Sequence, residues 1–121
     1  VRALDVEEAF VAKQTIPIQQ LARAGAAPTF TAATQTDLQF SNDGTIILEL
    51  KNTNGASRTV TVATPGTMDG LAIADSTATL GATTGDLIFK PFPPQIYNQS
   101  DDYVYVDLTA FANVTVAAYR P

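Results

Sequence analysis

The sequence predicts an all-β chain: an antiparallel β-sandwich or jelly-roll-like domain behind an N-terminal arm. Three observations carry that prediction. From residue 37 onward, apolar and polar residues alternate in short runs, the period of a half-buried strand. Gly, Asn, Asp and Pro interrupt those runs at fairly even spacing, as turns between short strands do. No strand–helix–strand pattern occurs, so nothing supports a parallel α/β sheet. The 121 residues fit one domain, and a chain of this length buries roughly two thirds of its unfolded surface, enough to fold without staples.

Residues 1–36 read as the arm. Asp5 and Glu8 have the spacing of a helix capping pair, with Val6, Phe10 and Val11 as the apolar contacts. Pro17 stops such a helix, and one so short needs a surface to lie on. Thr15–Gln20 is extended in character, and the small residues of Ala22–Pro28 read as a connector. The arm is either a frayed terminus or a strap that docks on a neighbour, and removal of residues 1–27 is expected to leave the domain folded while weakening any such docking. Val1 is small enough to follow a removed initiator Met, and acids stand at Asp5, Glu7 and Glu8 where a signal peptide has its apolar core. Synthesis in the cytoplasm is the expectation.

Residues 37–121 read as the sandwich. Leu38 and Phe40 alternate before a turn at Asn42-Asp43-Gly44. Ile46, Leu48 and Leu50 then share one face of a strand, opposite Glu49 and Lys51, and Val60 and Val62 face inward on Arg58–Thr64. With Asn52–Gly55 between them, these two strands are expected to form a hairpin. An irregular stretch, 67–75, follows Pro65-Gly66. Strand signals resume at Thr77–Leu80 and Leu87–Phe89, the prolines at 91, 93 and 94 leave the sheet, and Tyr103–Leu108 and Val114–Tyr119 complete seven or eight strands.

The composition removes most chemistry. There is no Cys and no His, which excludes disulfides, thiol nucleophiles, the Ser-His-Asp triad and imidazole metal ligands. Net charge is -5, unfavourable for a nucleic-acid partner held by its phosphates. No apolar run approaches the ~20 residues of a membrane span. Carboxylates are the only bases left; Glu49 and Asp107 are the candidate pair for glycosidase-type work, but both occupy wet positions of their strands, and no enzyme is expected. Asp69, Asp75, Asp101 and Asp102 lie in loops, where oxygen ligands for calcium are found, yet no D-x-D-x-D-G ladder occurs and turn roles suffice. No cofactor is expected. Tyr103 and Tyr105 share a strand face suited to a sugar or to an oligomer contact. The sequons at Asn98 and Asn113 carry no weight in so Thr-rich a chain. Apolar residues on both faces of some strands (Ile46 and Ile47; Leu87, Ile88 and Phe89) point to surface buried in an assembly.

One further pattern, of turns and strands rather than a catalytic signature, carries a resemblance. Asn42-Asp43-Gly44, Val60-Thr61-Val62, Thr64-Pro65, Asp69–Asp75, Phe92-Pro93, Tyr97-Asn98, Tyr105-Val106-Asp107 and Val114–Ala117 together resemble a group of small tailed-phage head proteins that decorate or cement the capsid. The resemblance covers about residues 40–120 and leaves the arm unmatched. It implies a sandwich or jelly roll on the capsid exterior, a trimer, and the major capsid protein as partner. It supplies no catalytic residues. Under this reading Val6, Phe10, Val11, Ile16, Ile18, Phe92 and Tyr97 are the expected partner contacts. The alternative is an Ig-like or carbohydrate-binding module of a tail or surface protein.

Overall fold

The computed structural model describes residues 13–121. In chain order its strands are β1 (Gln14–Thr15), β2 (Ile18–Gln20), β3 (Thr31–Ala32), β4 (Asp37–Ser41), β5 (Ile47–Asn52), β6 (Arg58–Val62), β7 (Thr67–Met68), β8 (Leu71–Ala72), β9 (Ser76–Leu80), β10 (Gly85–Phe89), β11 (Tyr103–Leu108) and β12 (Val114–Arg120), with one short helix, α1 (Pro94–Tyr97), before β11. The first sheet runs β1-β4-β11-β6-β9 and the second β10-β5-β12-β2, with β3 also on β12. The two pack face to face. The alternating residues meet between them: Leu38, Phe40, Ile46, Leu48, Leu50, Val60, Val62, Val104, Val106 and Val116 are buried in one core. Among the described residues no helix is long and apolar enough to cross a membrane.

The expected hairpin of residues 45–64 does not form. β5 pairs with β10 and β12, whereas β6 pairs with β11 and β9 in the other sheet. Asn52 accounts for the crossing. Its buried side chain donates from Nδ2 to the carbonyls of Ala56 (2.9 Å) and Gly81 (3.0 Å) and accepts the Asn54 N–H on Oδ1 (3.0 Å). These bonds turn the chain out of one sheet and into the other. Burial alternates identically in a hairpin and in such an arch, so periodicity alone does not separate them. The connections β4–β5, β9–β10, β10–β11 and β11–β12 also change sheet; β6 and β9 are adjacent, joined through the small β7–β8 hairpin.

Residues 13–36, read above as part of an arm, belong to the sandwich. β1 lies parallel to the edge of β4, and β2 lies parallel to β12 in the opposite sheet. Between them Ile16 is 2% exposed and sits in the core cluster, with Ile18 packed against it. Ile16, expected as a partner contact, is therefore an internal contact of this chain, while Ile18 packs on the same core and stays partly exposed. The segment crosses one open side of the sandwich and seals it, a role that an apolar residue at each crossing point makes favourable. Val6, Phe10, Val11 and the proposed helix lie outside the described residues.

Candidate partner-binding site

The side of the sandwich away from this seal is built differently. Among the described residues β9 and β10, the last strands of their sheets, have no outer neighbour. Pro91, Pro93 and Pro94 follow β10 and end its pairing, since proline has no N–H to donate. The chain then folds back through α1, where Pro94 occupies the first turn and the Pro93 carbonyl accepts the N–H groups of Ile96 (3.1 Å) and Tyr97 (3.0 Å).

Asn42 and Asn98 hold this loop in place. Asn42 Nδ2 donates to the Phe92 carbonyl (3.0 Å) and to Asn98 Oδ1 (2.7 Å), Asn42 Oδ1 accepts the Gly44 N–H (3.0 Å), and Asn98 Nδ2 donates to the Asn42 carbonyl (3.1 Å). The sequon asparagine Asn98 is thus engaged in the fold. Beneath the loop Phe92 meets Phe40, Phe89 and Tyr97 at ring separations of 6.0, 5.9 and 5.0 Å, the last edge-to-face, the geometry aromatic pairs prefer.

Together these groups leave a cup of about 440 Å³ between Ser76 at the start of β9, Phe89 and Lys90 at the end of β10, and the residues Pro91–Pro93, Ile96 and Tyr97. Its walls are apolar, apart from the Ser76 and Tyr97 hydroxyls, which share a 2.6 Å hydrogen bond, and the Lys90 side chain. Such a cup accepts an apolar side chain, and the neighbouring strand edges offer backbone donors and acceptors. Of the expected contacts, Tyr97 forms a wall. Phe92 also lines the cup but is only 5% exposed, so most of its contact is internal. Ser76, Lys90 and Ile96 were not foreseen; the prolines at 91, 93 and 94 were the available signal.

The other candidates are not brought together. Glu49 lies on the outer face of the second sheet and Asp107 on the outer face of the first, so they cannot flank one bond. Burial and the adjoining Asp86 carboxyl raise the Glu49 pKa, while Tyr119 OH donates to Glu49 Oε1 at 3.0 Å. The Tyr119 hydroxyl is pushed to about 12 by burial and that same carboxyl. Asp107 is raised by burial and by Asp37, directly opposite on β4. Among the loop acids, Asp75 Oδ1 accepts the Thr64 N–H (2.9 Å), and Asp101 accepts the Tyr103 N–H (3.1 Å) and the Tyr105 hydroxyl (2.7 Å). Among the described residues no three His, Cys, Asp or Glu side chains converge on a metal position. Tyr105 also has the Lys13 ammonium 4.6 Å from its ring centroid, so its face is already occupied.

No family model, curated protein or solved structure matches the chain.

Proposed function

We propose that the chain is a structural virion protein that decorates and cements a tailed-phage capsid, a homotrimer binding several major capsid subunits without catalysis. The asymmetry between the two sides of the sandwich carries this reading. On one side the chain's own Ile16 fills the gap between the edge strands β1 and β2, while on the other an apolar cup stays open between the start of β9 and the end of β10. Unpaired edges beside apolar surface are features that proteins bury against partners.

The winding supports the same reading. Leaving aside the parallel edge strands β1 and β2, β4-β11-β6-β9 faces β10-β5-β12-β3 with every neighbouring pair antiparallel, an alternation that favours the jelly-roll layout implied by the resemblance over residues 40–120. Val6, Phe10 and Val11 are proposed as additional contacts, because a segment leading from a sealed edge can reach a neighbouring subunit. Several modest contacts of this kind raise avidity without any one being strong.

The test is density-gradient fractionation of particles from the native source with quantitative mass spectrometry. Banding with the shell at high copy number supports decoration, and a few copies per particle point to a portal, vertex or tail position instead. A chain that stays at the top of the gradient overturns the proposal in favour of the sugar-binding module.

A further inference from the structure

The outer face of the second sheet carries a second concavity, a groove of about 290 Å³. Ile47 and Glu49 of β5, Ile88 of β10 and Tyr119 of β12 form its base, and Leu21, Ala26 and Pro28 form its other wall. Ile88 is 67% exposed and Leu21 38%, so the apolar surface is open to a partner. Its polar equipment is of one sign. Glu49 is held by the Tyr119 hydroxyl at 3.0 Å, with the Asp86 carboxyl close enough to interact with it. The nearest cation, Lys51, stands opposite Asp86 in the strand register, but its ammonium lies 4.7 Å from the Phe30 ring centroid. The two carboxyls repel one another beside a trough that welcomes methylene groups.

We propose that this groove docks a lysine or arginine side chain of a partner protein, its aliphatic stem against Ile47, Ile88 and Pro28 and its cation on the Glu49 carboxylate. Charge complementarity selects the occupant. An apolar side chain leaves the two carboxyls with Lys51 alone to offset them, and an acidic one adds a third like charge, whereas a basic one satisfies stem and head together. That the partner is a capsid subunit rests on the function proposed above; the chemistry of the groove does not.

The experiment uses the full-length chain, ¹⁵N-labelled, titrated with acetyl-Val-Arg-Val-amide, and with acetyl-Val-Gln-Val-amide as the uncharged control. Saturable shifts of the Glu49, Ile88 and Tyr119 amides in the millimolar range are expected with the arginine peptide, with binding at least about tenfold weaker for the control and for Glu49→Gln. Glutamine still accepts the Tyr119 hydrogen bond, and Asp86→Asn serves as a second variant. The Glu49 carboxyl should also titrate at lower pH in the presence of the arginine peptide, with Asp86, Lys51 and Tyr119 followed alongside. Absence of saturable shifts, or equal affinity for the two peptides or for the variants, overturns the proposal. Gradient fractionation of the same chain separates the two readings: particle association with no peptide binding sinks only the groove, and peptide binding without particle association sinks only decoration.

Discussion

The backbone N–H of Ile16 donates to the Gln39 carbonyl in one sheet at 2.8 Å, and two residues later Ile18 stands in register with Ala118 in the other. A single residue between them, Pro17, carries the chain across the side of the sandwich. The side chain of Ile16 is the stopper of that side. Ile16→Ala is expected to cost about 2–5 kcal/mol, the range for a large-to-small change in a core, measured by urea denaturation. Removal of residues 1–20 takes away both edge strands and the stopper, and should abolish the cooperative transition. Removal of residues 1–27, expected from the sequence to leave the domain folded, takes away the same strands and should have the same effect.

Val62 is fully buried and pairs with Val106 on one side and Ser76 on the other. Val62→Asp brings a carboxylate into this core without a partner, at a cost of several kcal/mol. The variant should lose the dispersed amide spectrum of a folded β-protein. A dispersed spectrum would show that residue 62 faces water.

Gly85 opens β10 directly against the backbone of Gly81, and a Cβ at this position would collide with the Gly81 carbonyl. The arch between β9 and β10 depends on that close approach. Gly85→Ala should destabilise by about 1–3 kcal/mol, the usual penalty of overpacking. Gly55→Ala is the control, since a Cβ there meets nothing within 4 Å, and it should leave the urea midpoint nearly unchanged.

Asp107 and Asp37 face each other on adjacent strands, and burial followed by the Asp37 charge raises the Asp107 pKa. A carboxyl that protonates more readily in the folded chain contributes stability fully below its unfolded pKa and loses it as pH rises through the folded value. Asp37→Asn removes the opposing charge. It should raise the melting temperature near neutral pH and give no such gain in acid, where Asp107 of the parent is protonated. A gain independent of pH, followed by calorimetry across the acid range, would refute the charge argument.

The inward positions were readable because alternation marks which side of a strand is wet, and Leu38, Phe40, Ile46, Leu48, Leu50, Val60, Val62, Val104 and Val106 all lie where their runs place them. Which strand lies beside which was not readable. Asn52-Thr53-Asn54-Gly55 has the composition of a hairpin turn, yet the reach of the Asn52 amide to Gly81, distant in sequence, makes it a crossing. Ile16 escaped for a related reason: one apolar residue before a proline has no period, and its value arises only from the gap it fills. The cup around Tyr97 was partly legible, since Pro91–Pro94 must leave the sheet. Ser76 and Ile96 carry no signal of their own until the loop folds back over them.

The repeated change of sheet also dictates how the chain must assemble. Apart from the small β7–β8 hairpin and the β6–β9 pair, a strand finds its neighbours far along the sequence: β4 waits for β11, and β5 waits for β12. Little can nucleate locally, and long loops must close before any pairing rewards them, the condition that slows folding to milliseconds or longer in proteins of high contact order. Until β11 and β12 are in place, β4 has only the two-residue β1 beside it and β5 only β10, so each keeps one edge without its partner. Each sheet is thus joined through its middle by a strand late in the order: β11 ties β4 to β6 in one, and β12 ties β5 to β2 and β3 in the other.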